Sequence, residues 1–214
     1  MPFKITNDTA LLVIDVQYDF ILGGALAVEG GIDIIDEINK CMKDFFKADA
    51  KVVATQDWHP KKHGSFASAH KGKEPYDEYK EGEGLGPVLW PDHCVQGKWG
   101  ASFHRKLRKN YAHLILRKGY HQDIDSYSAF VENDKKTKTG LAGYLKDLGI
   151  KKIFVCGLAY DFCVKYSALD AISEGFKEVT IFTDLTKAVY NDGESMQKTN
   201  DELLKAGCKL TTYS

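Results

Sequence analysis

The sequence predicts an α/β fold: three layers, α/β/α, around a doubly wound, mostly parallel six-stranded sheet of the Rossmann-like type. Short continuous apolar runs recur along the chain, as expected of strands buried on both faces. Segments with apolar residues at three- and four-residue steps separate them, so strands and helices alternate. Several runs also stop at a polar or reactive residue, which marks the strand ends where open α/β sheets bind ligands.

Ala10–Ile14 is the first strand and stops at Asp15; Ile32, Ile35, Ile38, Met42 and Phe45 then mark one stripe of a helix. Val52–Thr55 is the second strand, ending at Gln56 and Asp57, and His113–Leu116 the third, ending at Arg117 and Lys118. Leu141, Tyr144, Leu145 and Leu148 lie on a helix stopped by Gly149, before a fourth strand at Ile153–Cys156. The turn from Gly157 to Phe162 leads into a helix expected over about 163–173. Val179–Phe182 is the fifth strand, about 194–206 a last helix closed by Gly207, and Leu210–Thr212 an edge strand. All 214 residues are expected to form one domain.

Composition narrows the function classes. The 29 Lys and Arg balance 30 Asp and Glu, giving a net charge of −1 with no long block of one sign. Nucleic acid and a polybasic membrane surface are therefore not the expected partners; a small molecule is, and a homo-oligomer is compatible with the sequence. Five cysteines, with no C-x-x-C pair, suit a reducing compartment. No apolar leader or membrane-length run is present in the sequence, so cytoplasmic location is the expectation.

The stretch from Trp58 to about Gly97 breaks the alternation. It is too long for a simple connection and carries His59, His63, His70 and His93 with Trp90, which points to a functional loop. Asp57 and His59, at i and i+2 of an extended segment, share a face and could bind one ion, with His93 as a third ligand. Two imidazoles and a carboxylate suit a catalytic divalent metal, zinc first, with manganese or iron as alternatives. His63 and His70 are spare imidazoles, His63 standing first as an extra ligand.

Cys163 is the candidate nucleophile. In the first turn of a helix, beside an ammonium, its thiolate would be accessible near neutral pH. Asp15 could exchange its proton and Lys118 offset the charge. On position alone, Cys163 could equally be a packing thiol, and Asp15 with Lys118 an ion pair pinning two strand ends.

Taken together, the motifs form a series. Leu12-Val13-Ile14-Asp15-Val16-Gln17-x-Asp19-Phe20, Thr55-Gln56-Asp57-Trp58-His59-Pro60, Leu89-Trp90-Pro91-x-His93-Cys94-Val95, Lys118-Gly119, Tyr127-Ser128-Ala129-Phe130 and Val155-x-Gly157-Leu158-Ala159-x-Asp161-Phe162-Cys163-Val164 follow one another from about Ala10 to Leu185. This series resembles the nicotinamidases of the isochorismatase-like (cysteine) hydrolase superfamily. The resemblance implies a triad of Asp15, Lys118 and Cys163, and a metal held by Asp57, His59 and His93. It implies a cis Leu158–Ala159 peptide, an oxyanion hole from the backbone N–H groups of Ala159 and Cys163, and a ring pocket walled by Phe20, Trp90, Tyr127 and Leu158. The implied reaction is hydrolysis of nicotinamide through a Cys163 thioester, with the metal orienting the pyridine ring and pyrazinamide as a further substrate. The alternatives are another amidohydrolase of the superfamily, a metallohydrolase whose ion activates water, or a fold that only binds.

Overall fold

A computed structural model describes residues 3–80 and 82–214. Met1, Pro2 and Glu81, which the sequence assigns to the single domain and its long loop, lie outside the described residues. Six strands form one sheet: β1 (Thr9–Ile14), β2 (Lys51–Asp57), β3 (Leu114–Lys118), β4 (Lys152–Leu158), β5 (Glu178–Lys187) and β6 (Lys209–Thr211). Their order is β3-β2-β1-β4-β5-β6, and every pairing is parallel. The order reverses between β1 and β4, so the loops after these two strands diverge and leave a crevice at their carboxyl ends.

Each residue of β1 is buried, as its unbroken apolar run requires. The helices are α1 (Ile35–Lys47), α2 (Leu141–Asp147), α3 (Lys165–Ser173) and α4 (Gly193–Lys205). α1 packs on β1, β2 and β5, while α3 packs on β4, β5 and α4, and α4 on β6. Ile35, Ile38, Cys41, Met42 and Phe45 are the buried side of α1, the stripe read from the sequence, although Ile32 lies before the helix begins.

One expected element differs. The helix anticipated from about 163 begins earlier, as a π turn over Tyr160–Val164 that runs into α3. Cys163 thus sits in a widened turn ahead of the α-helix, since the Val164 N–H reaches five residues back to the Ala159 carbonyl.

Candidate active site

The long segment after β2 is ordered by its own backbone. His59 N–H donates to the Cys94 carbonyl (3.0 Å) and Gln96 N–H returns to His59 (2.8 Å); Ala67 and Trp90, then Trp90 and Ser65, are joined likewise. These bonds fold the loop on itself and bring His93 to the end of β2, where Asp57 and His59 stand. Gln17 fixes the junction: its side-chain carbonyl accepts the Asp57 N–H (2.8 Å), and its amide donates to the Asp57 carbonyl (2.8 Å) and to Ala101 (2.9 Å). Asp19 accepts the Cys94 N–H at 2.7 Å, which holds the residue following His93.

Asp57, His59 and His93 are all buried, and one donor atom from each lies within 4.8 Å of the others. The tautomers follow from the partners. His59 Nδ1 lies 2.8 Å from the Gly119 carbonyl and His93 Nδ1 2.8 Å from the Pro91 carbonyl, and a carbonyl can only accept, so each Nδ1 carries hydrogen. Both Nε2 atoms therefore turn toward Asp57 Oδ2, at 3.1 and 3.7 Å. Two lone pairs and a carboxylate oxygen facing one point repel unless a cation joins them, so this donor set fits a divalent metal. Without one, the proton takes its place: burial favours neutral His59, but the Asp57 charge outweighs it and holds the imidazole above its ordinary range. Burial likewise pushes Asp57 up, yet His59 and Lys118 outweigh it and hold the carboxyl well below the usual range.

Gly119 is where the backbone must pass close. Its φ is +64°, and a Cβ there would lie 2.5 Å from His59 Cε1. Only glycine lets the carbonyl that orients His59 approach without displacing the ring.

Lys118 joins this cluster to the thiol. Its fully buried ammonium lies within bonding distance of Asp57 Oδ1 (2.8 Å), the Ser126 carbonyl (2.8 Å) and Cys163 Sγ (3.5 Å). Asp15 Oδ2 lies 2.9 Å from the same nitrogen, a fully buried ion pair. The other Asp15 oxygen accepts from the Thr55 hydroxyl at 2.7 Å. Asp15 is held at φ +48°, a left-handed conformation unusual for a residue with a side chain, directly after β1. Burial raises the Asp15 carboxyl, against the opposing charge of Lys118. Burial alone would lower Lys118, but Asp15 and Asp57 raise it well above its ordinary value, so it stays charged.

The cysteine departs from the expectation of an accessible thiolate. Burial raises the Cys163 thiol, Lys118 only partly offsets this, and the Asp15 and Asp57 carboxylates add to the rise. A raised thiol calls for a base to take its proton at the moment of attack. The remaining cysteines are free and buried, and burial pushes the thiols of Cys41, Cys94, Cys156 and Cys208 up as well.

A small cavity opens beside Cys163. Phe20, Trp90, Tyr127, Asp57, His93 and the Ala159 backbone line it, as do Leu26, Asp125, Phe162 and Val189, which sequence reasoning missed. Val189 lies just past the carboxyl end of β5, a position the strand-end rule could have flagged; Leu26 and Asp125 sit in loops with no such signal. Trp90 Nε1 donates to the Tyr127 hydroxyl (3.1 Å), which donates on to the Gly86 carbonyl (3.2 Å), fixing that wall. Leu158 is the correction: it is fully buried and does not line the cavity, because successive residues at a strand end face opposite sides, and its side chain points toward Gly31. The Leu158–Ala159 peptide is cis. His63 is buried against His59, its nitrogens meeting the Ser65 hydroxyl (2.7 Å) and the Ile124 carbonyl (3.2 Å), and His70 bonds the Gly64 carbonyl (2.7 Å). Neither contributes to the Asp57–His59–His93 group, although His63 does approach His59 and Asp125 in a second cluster.

Comparison with known proteins matches residues 9–212 to the isochorismatase domain. The nicotinamidase of Acinetobacter baylyi is 47% identical over 207 residues, covering 97% of this chain and 94% of that one. Among solved structures, the nicotinamidase/pyrazinamidase of Acinetobacter baumanii superposes with a TM-score of 0.91 at 43% identity, covering 98% of both chains. The pyrazinamidase of Pyrococcus horikoshii, solved in complex with zinc, does so with a TM-score of 0.78 at 34% identity, covering 96% of this chain and 99% of that one.

Proposed function

The chain belongs to the isochorismatase family, and from that premise we infer that it is a nicotinamidase, an amidase that hydrolyses nicotinamide to nicotinate and ammonia in NAD salvage. Pyrazinamide is a further substrate of the same class. The observation that carries the site assignment is the single buried ammonium of Lys118, in contact with the Cys163 thiol, the Asp15 carboxylate and the Asp57 end of the imidazole cluster at once. In our reading, one domain carries both halves of the site, with the 58–97 loop supplying the metal side.

Asp57, His59 and His93 would hold one divalent ion, zinc by our assignment, with manganese or iron as alternatives. When bound, the ion supplies a Lewis-acidic anchor for the pyridine nitrogen. Phe20, Trp90 and Tyr127 clasp the ring between apolar walls and exclude water. Asp15, held beside the thiol by their shared contact with Lys118, takes the Cys163 proton as sulfur attacks the carboxamide carbon. The backbone N–H groups of Ala159 and Cys163 hold the developing oxyanion. Asp15 returns the proton to the departing ammonia, then deprotonates the water that hydrolyses the nicotinoyl thioester. Lys118, paired with both carboxylates, offsets the Asp57 charge throughout and favours the ionised form to which Asp15 returns after each proton transfer. Cytoplasmic location fits this role; among the described residues no helix is long and apolar enough to cross a membrane.

Ammonia release from nicotinamide tests the reading. Activity should disappear after chelation and return with added Zn²⁺, Mn²⁺ or Fe²⁺; full activity in metal-free protein would contradict the metal half, and no release from loaded protein would contradict the whole. The pH profile tests the base. Asp15 acts only when ionised, and burial raises its pKa, so activity is present above that raised value and lost as pH falls through it. The acidic limb of kcat/KM should lie above the ordinary aspartate value of about 3.9. A limb at or below that value, or one unmoved by Asp15→Glu, would remove Asp15 from this role.

A further inference from the structure

Asp161 stands two residues before Cys163, in the same π turn, and does not line the cavity. It is 6% exposed. One carboxylate oxygen accepts the Val189 N–H and the other the Tyr190 N–H, both at 2.9 Å. Both donors belong to the connection between β5 and α4, a segment far from the nucleophile in sequence. Val189 is a wall of the cavity. The Tyr190 ring lies 5.9 Å from that of Phe162, which in turn packs edge-on against Trp90 at 4.8 Å. A buried carboxylate bonded to two adjacent backbone amides is a strong, geometrically fixed tie, and it uses no group that could touch substrate.

We propose that Asp161 is a positioning residue for specificity: it clamps the Val189–Tyr190 segment onto the nucleophile turn and thereby sets the width of the ring pocket. The proposal rests on the amidase reading above. Releasing the clamp lets Val189 retreat while Asp15, Lys118 and Cys163 keep their own contacts, so the loss falls on ring binding and on discrimination against larger rings, not on the chemical step.

The experiment compares kcat and KM for nicotinamide and for ring-methylated nicotinamides in the metal-loaded wild type, Asp161→Ala and Asp161→Asn, with folding checked by near-ultraviolet circular dichroism. In Asp161→Ala the KM for nicotinamide should rise about tenfold, the loss expected for one charged hydrogen-bond pair, with kcat within about threefold of wild type. The ratio of kcat/KM for a methylated ring to that for nicotinamide should rise about tenfold. Asp161→Asn, which keeps the shape and one acceptor, should move both quantities in the same direction by less, and it carries the test should the alanine variant fail to fold. Equal loss on all substrates, or a fall in kcat alone, overturns the clamp and leaves Asp161 a merely structural residue. Wild-type activity on nicotinamide separates the two claims, since its absence defeats the amidase reading whereas an unchanged ratio in active variants defeats only the clamp.

Discussion

Replacing Cys163 with alanine is expected to lower nicotinamide turnover by at least about 10⁴-fold, the scale on which loss of a covalent nucleophile is felt. Metal content should stay close to wild type, because Cys163 is not among the clustered donor atoms of Asp57, His59 and His93. The same reasoning sets the direction for stability. The thiol is buried and raised in pKa, with three carboxylates around it adding to the rise, so removing it relieves no bound charge and the fold should persist. Ammonia release, metal analysis and thermal unfolding on one preparation check all three points. Loss of metal in Cys163→Ala would contradict the division between a thiol that reacts and a cluster that binds.

Lys118→Met should be the most damaging single change to both activity and stability. The ammonium is completely buried and is the common partner of Asp15 and Asp57. Its removal leaves the fully buried Asp15 carboxylate without its cation and takes one of the partners of Asp57, and breaking such a buried ionic group typically costs about 3–5 kcal/mol. The cost should depend on pH in a definite sense. With the cation gone, burial leaves the Asp15 carboxyl further above its unfolded pKa and Asp57 loses one of the charges that hold it down, so stability falls as pH rises through the Asp15 window and the deficit against wild type is greatest near neutrality. Turnover should fall by at least about 10³-fold, since the proton acceptor and the nucleophile both lose the charge that organises them. Urea unfolding at about pH 4.5 and 7.5, beside an ammonia assay, provides the check; equal deficits at the two values would show that the ammonium does not balance these carboxylates.

Much of this site could be read from residue order because the fold converts strand ends into a shared edge. Asp15, Asp57 and Lys118 each close a parallel strand, and adjacent β3, β2 and β1 bring them side by side. His93 was harder: only the backbone bonds from His59 to Cys94 and Gln96 explain why an imidazole distant in sequence returns to β2. The π turn at Tyr160–Val164 escaped because hydrophobic periodicity does not register a single widened turn. The state of the thiol escaped for a different reason. Helix position and a nearby lysine argue for thiolate, but burial of the sulfur, with carboxylates packed beside it, raises the thiol, and no local pattern encodes that burial. Leu158 belongs to the motif yet faces away from the cavity, whereas Val189 belongs to no motif and forms its wall.

Stoichiometric alkylation tests the central claim, covalent catalysis by one cysteine, most directly. Iodoacetamide is added in steps to the metal-loaded protein, the modified fraction of Cys163 is measured by peptide mass spectrometry, and ammonia release from nicotinamide is recorded at each step. Activity should fall in proportion to the modified fraction and reach zero when Cys163 is fully blocked, with nicotinamide slowing the modification. Turnover that persists with Cys163 fully alkylated would contradict the thioester route.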